Sequence, residues 1–241
     1  MVSLLWGSVA GSAVLLGALV SMWVKVNKVY IGWIMAFGTG VLIGAATLEL
    51  VQESVESGGL TVVIIGVLVG ASVFTIADSI IHKKGGGKRK QSRPKTSTPS
   101  GLAIFIGTIL DVIPESIIIG TGLLEGTGVS LIMISAIFIS NFPEGLSSTS
   151  GLIKDGYSKG KIIFLWSVVF VLTALGSFFG YTFLSGSSPQ TLAFISSFAA
   201  GAIIAMVSST MMPEAYEEGG PIVGLVTVCG LLTALSLRHF A

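Results

Sequence analysis

The chain is built from apolar runs about 20 residues long separated by short polar breaks. That is the length an α-helix needs to cross a hydrocarbon core roughly 30 Å thick. Eight runs qualify: Leu4–Val24, Gly32–Val51, Leu60–Ile81, Gly101–Leu123, Val129–Ile153, Ile162–Leu184, Leu192–Met212 and Ile222–Leu237. The breaks carry turn chemistry, as in Glu56-Ser-Gly-Gly, Glu125-Gly-Thr-Gly, Ser185-Gly-Ser-Ser-Pro189 and Glu217-Glu-Gly-Gly-Pro221. The pattern predicts an all-α polytopic membrane protein, a single transmembrane domain over residues 1–241. The first run has no basic stretch before it and no small-residue cleavage site, so it reads as the first helix and not as a removed leader.

Composition agrees. Apolar residues make up 52% of the 241 positions and charged residues 10%, against about 25% in a soluble domain. A disordered polyampholyte and a cytosolic enzyme are both excluded by that balance. The single cysteine, Cys229, lies in an apolar run and rules out a disulfide scaffold.

The charges are segregated. Lys25 and Lys28 follow the first run, Lys154, Lys159 and Lys161 follow the fifth, and seven cations lie in residues 82–100 after the third. With eight spans those loops share one side, which then holds 12 of the 13 Lys and Arg residues; Arg238 alone falls on the other. The positive-inside rule makes the crowded side cytoplasmic and places both termini outside, in a cell membrane. Residues 82–100, rich in Lys, Gly, Ser and Pro, read as a flexible basic cytoplasmic loop. Its charge faces lipid head groups; a nucleic-acid partner is not expected.

An internal repeat is visible. Residues 36–59 align with 197–220 at an offset of 161, with seven identities in 24 positions, including Phe37/Phe198, Gly40/Gly201, Glu53/Glu214 and a shared Gly-Gly exit. The copies are the second and seventh segments, which cross in opposite senses. Inverted repeats are a hallmark of secondary transporters, whose substrate site lies near the midplane. Pairing segments 1–3 with 6–8 leaves the fourth and fifth in the centre, a 3+2+3 arrangement.

Those two central segments hold the chemistry. The fourth reads Gly107-Thr-Ile-Leu-Asp111-Val-Ile-Pro114-Glu115-Ser116, and the fifth Ala136-Ile-Phe-Ile-Ser140-Asn141-Phe142-Pro143-Glu144-Gly145. A carboxylate at mid-bilayer costs at least about 2.5 kcal/mol, so three in two adjacent helices need a reason. Asp111 and Glu115 stack four apart on one helix face, and Asn141 and Glu144 three apart on another. Pro114 and Pro143 remove the hydrogen bonds to the carbonyls of Leu110 and Ile139, which can then line a cavity. Flanking small residues let the two backbones approach. Carboxylates, an amide, hydroxyls and loosened carbonyls, with no cation inside any span, describe an oxygen-rich cation site made of Asp111, Glu115, Asn141 and Glu144.

Other acids read differently. Glu49, Glu53 and Glu214 are expected as solvated helix-end residues, with a place at an entrance or exit as the alternative. Asp78 reads as an ion-pair partner beside the basic loop. His82 and His239 fall outside the membrane core, and Trp6, Trp23, Trp33 and Trp166 read as interfacial anchors. The core has no histidine, cysteine pair or nucleophile–base set, so the chain is not read as an enzyme and no bound cofactor is expected.

Taken together, these residues resemble the ZIP divalent-metal transporters. Members of that family have eight helices with both termini outside, a 3+2+3 inverted repeat and a metal site on helices 4 and 5, in motifs such as His-Asn-x-Pro-Glu-Gly or Gln-Asn-x-Pro-Glu-Gly-Leu. Here the fifth segment gives Ser140-Asn141-Phe142-Pro143-Glu144-Gly145-Leu146, the fourth gives Asp111-Val112-Ile113-Pro114-Glu115, and the seventh ends Met-Pro213-Glu214-Ala215. The resemblance implies transport of a divalent ion of the zinc, iron or manganese class toward the cytoplasm. Several positions depart from the family pattern. Asp111 stands where the family usually has histidine, Ser140 where it has histidine or glutamine, Val112 where it has asparagine, and Thr210 where an acid is common. The sixth segment lacks the family's glutamate. The two-metal site implied by the resemblance is thus reduced to one centre here, and the alternative is a non-transporting or altered-specificity homologue that has lost part of the metal site. A histidine-rich loop is replaced by a lysine-rich one. Gly/Ala/Ser-rich faces permit a homodimer.

Overall fold

The computed structural model describes residues 1–81, 83, 101–124 and 130–240. Among them there is no strand, and eight helices are long and apolar enough to cross a membrane. They are α1 (Val2–Trp23), α2 (Lys28–Gly58), α3 (Leu60–Ile81), α4 (Gly101–Gly122), α5 (Leu131–Lys154), α6 (Lys159–Leu184), α7 (Pro189–Gly219) and α8 (Val223–Phe240). Starts are marked by side-chain caps: Asn27, Ser130, Ser158 and Ser188 each accept a hydrogen bond from the first turn of the helix that follows. Apart from Lys83, the basic loop expected over residues 82–100 lies outside the described residues, as does most of the break after α4.

The inverted repeat is structural as well as sequential. Each of α2 and α7 contains one wider π-helical stretch, Ala46–Val51 and Val207–Met211, starting 161 residues apart. Each then ends on a glycine with positive φ, Gly59 at 83° and Gly220 at 70°, again 161 apart. Packing follows the same symmetry, exchanging α1 with α6, α2 with α7, α3 with α8 and α4 with α5. Helix α2 packs on α8 as α7 packs on α3, and α1 packs on α5 as α6 packs on α4. A Cβ on Gly40 would strike the carbonyl of Thr227, and one on Gly201 the carbonyl of Val67. Gly230 against Phe37 and Gly70 against Phe198 repeat the relation in reverse. Backbone-to-backbone contact of this kind is how helices associate where lipid removes the hydrophobic drive.

The expected ends of two helices need correction. The sequence reading stops the second segment at Val51 and the seventh at Met212, where hydropathy falls, yet both helices continue about two turns to Gly58 and Gly219. An inserted π residue and then a Gly-Gly exit set the ends, not loss of apolar character. The outward faces of α3 and α8 carry exposed Leu60, Ile64, Leu68, Leu225 and Leu232, as lipid-facing helices must. The core between the repeats is filled by Met35, Leu42, Ile137, Ile203, Met206 and Met211. Trp166 belongs inside as well. It is fully buried and donates from Nε1 to Thr149 Oγ1 at 2.8 Å, so its polar handle is satisfied within the bundle and not at an interface. Trp23, by contrast, is exposed, with Lys159 Nζ 5.7 Å from its ring centroid.

Candidate metal centre

Helices α4 and α5 pass through Pro114 and Pro143 as continuous helices. Asp111, Glu115, Ser140, Asn141 and Glu144 are all buried, none more than 1% exposed. A direct link between the two helices is a hydrogen bond from Asn141 Nδ2 to Glu115 Oε2 at 2.7 Å. Because α4 and α5 run in opposite senses, that contact sets Asp111, one turn before Glu115, at about the level of Glu144. The structure thus joins Glu115 to Asn141 directly and buries Asp111 and Glu144 as well. Among the described residues, no three His, Cys, Asp or Glu side chains converge closely enough to hold one metal ion by themselves. A cation held here would complete its shell with amide, hydroxyl or backbone oxygens.

Two further acids belong to the same interior, against expectation. Glu49 is 8% exposed and accepts from Ser130 Oγ at 2.6 Å; Glu214 is 4% exposed and accepts from Ser147 Oγ. Neither is a solvated helix-end residue. Glu214 lies on the part of α7 that outruns its apolar run, Glu49 lies inside its own, and in both helices a π stretch turns the carboxylate into the bundle. Glu53, the repeat counterpart of Glu214, is partly exposed and fits the original reading better.

Helix α5 therefore meets one carboxylate from each of three other helices: Glu49 of α2 at Ser130, Glu115 of α4 at Asn141, and Glu214 of α7 at Ser147. At 1.5 Å per residue the first two contacts lie about 16 Å apart along α5 and the last two about 9 Å. Glu144 stands between Asn141 and Ser147 on the same helix. Ser130 and Ser147 escaped the sequence reading because a serine in an apolar segment is an ordinary packing residue. The available signal for Ser130 was its eleven-residue spacing from Asn141, which puts both on one helix face; Ser147, six residues on, lies about a third of a turn round and had no such signal. At one end of the bundle, Lys28 Nζ meets Glu218 Oε1 at 3.3 Å and Trp33 Nε1 donates to the Gly219 carbonyl at 3.1 Å, tying the start of α2 to the end of α7.

The fold and this interior define a polytopic helical membrane protein with an inverted repeat and acidic groups buried at several levels. No family model matches the chain. It is 29% identical over 212 residues to an Arabidopsis thaliana protein named "Putative zinc transporter", a match covering 86% of this chain and 33% of that protein. The chain spans about a third of the length of that curated relative. The similarity supports the resemblance to the ZIP transporters carried by the Pro-Glu motifs of α4 and α5.

Proposed function

We propose that the protein moves a divalent transition-metal ion across a cell membrane toward the cytoplasm, with Asp111, Glu115, Asn141 and Glu144 as the midplane ligands. The observation that carries this reading is the buried Asn141–Glu115 hydrogen bond between two proline-containing central helices. It is supported by the carboxylates that α5 meets above and below, and by likeness to a protein named for zinc transport. In this reading Glu49 with Ser130 receives the ion from outside, the midplane set holds it, and Glu214 with Ser147 passes it inward. The freed carbonyls of Leu110 and Ile139 supply further oxygen ligands. Rocking of one repeat against the other about the central pair gives access from alternate sides.

The altered-specificity alternative has its own support, since three acidic or nitrogen ligands do not converge in the described residues. Histidine nitrogen favours zinc, while carboxylate and amide oxygen shift relative preference toward manganese. Asp111→His is therefore expected to raise the zinc-to-manganese uptake ratio above that of the parent, measured by competition in vesicles. An unchanged ratio would remove Asp111 from the ligand set. A coupled carrier of an organic anion is disfavoured, because the two central segments carry no Lys or Arg over residues 101–153 to meet an anionic group.

A further inference from the structure

At the end of the bundle away from the Lys28–Glu218 pair, helices α2 and α8 run in the same direction. They touch where Gly44 meets Ala234. One turn further along each helix lie Glu49, in the π stretch of α2, and Arg238, in the last turn of α8. The shared contact therefore delivers a carboxylate and a guanidinium to the same end of the bundle. Arg238 is partly buried, and its buried Nη1 makes no hydrogen bond among the described residues. The hydrogen bond at Glu49 comes from Ser130 instead, while the Arg238 charge reaches the carboxylate through space. An arginine cannot lose its proton in a protein, so this positive charge is permanent. By the loop assignment of the other 12 Lys and Arg residues, it is the one Lys or Arg that the sequence places on that side.

We infer that Arg238 is a tethered cation at the outer mouth that limits entry of divalent ions by holding a fixed positive charge beside Glu49. The inference rests on the transport reading above and adds to it a residue that sets apparent affinity without being a ligand. A fixed like charge lowers the local concentration of arriving cations, and does so most where salt screening is weak.

The test has two readouts. The first does not depend on transport. In a Cys229→Ser, Ser130→Cys background, the rates of modification by a cationic and a neutral thiol reagent of similar size are compared. Arg238→Gln should raise the cationic-to-neutral ratio about three- to tenfold at ~0.01 M ionic strength and by less at ~0.15 M, where the screening length falls to ~8 Å. Arg238→Lys should leave it near the parent value. The second readout is divalent-ion uptake without the Ser130 change: Arg238→Gln should lower KM by a similar factor with kcat little altered. Arg238→Met serves as a second neutral variant if the glutamine variant fails to insert. An unchanged thiol ratio, or a lysine variant that behaves like the glutamine one, would overturn the inference. A raised ratio with unchanged KM would overturn the claim that the charge limits entry. Absence of uptake by the parent would instead count against the transport reading, and the thiol ratio would still judge the charge.

Discussion

Glu115→Gln is expected to reduce divalent-ion uptake into vesicles at least about 100-fold while leaving the protein inserted and folded. Altering a partner one step removed from a metal already costs 10- to 100-fold, so neutralising a ligand should cost no less. Glutamine is the informative replacement. Its amide oxygen can still accept from Asn141 Nδ2, so the α4–α5 contact survives and only the charge is lost. Glu144→Gln should behave in the same way. Asn141→Ala should be milder for uptake, about tenfold. It should be worse for stability, because Glu115 would then be left buried without that donor. Radiolabelled zinc or manganese uptake, normalised to inserted protein, measures all three. Near-parent uptake by Glu115→Gln would exclude the midplane site.

Gly201→Val should prevent stable assembly. A Cβ at this position meets the Val67 carbonyl, a backbone atom that no side-chain rotation can move away. Overpacking a flexible contact costs about 1–3 kcal/mol, and a rigid backbone crossing has less freedom to adjust than that range assumes. Helices α3 and α7 would be forced apart, and with them the π stretch that turns Glu214 inward. Thermal unfolding in detergent should show a melting point many degrees below the parent, or aggregated protein on gel filtration. Gly160→Ala is the control. A Cβ there meets nothing within 4 Å, so its melting point should match the parent or rise slightly.

How much of this was legible in the sequence depends on which physical signal each feature uses. Hydropathy and segregated lysines gave the number of spans, because lipid enforces long apolar helices more strictly than water enforces any core. The repeat was readable because Gly40 and Gly201 sit at helix crossings where a Cβ would strike a backbone carbonyl of the facing helix. The burial of Asp111, Glu115, Asn141 and Glu144 followed from their position in mid-segment. What hydropathy could not see was register. An inserted π residue shifts the facing of the residues within and beyond it, so Glu49 inside one stretch and Glu214 just after the other face inward although each sits where the apolar run fades. Trp166 was misjudged for a related reason: Thr149 on a neighbouring helix satisfies its indole, and no one-dimensional pattern carries that pairing.

The central claim is that the buried oxygens around Glu115 and Glu144 hold a divalent ion. Equilibrium titration of purified parent protein and of the Glu115→Gln, Glu144→Gln double variant with zinc and with manganese tests it most directly. The account predicts saturable binding to the parent and its loss in the double variant, with both proteins giving the same melting point in the absence of metal. Parent protein that binds neither ion, or a double variant that binds as the parent does, would contradict it.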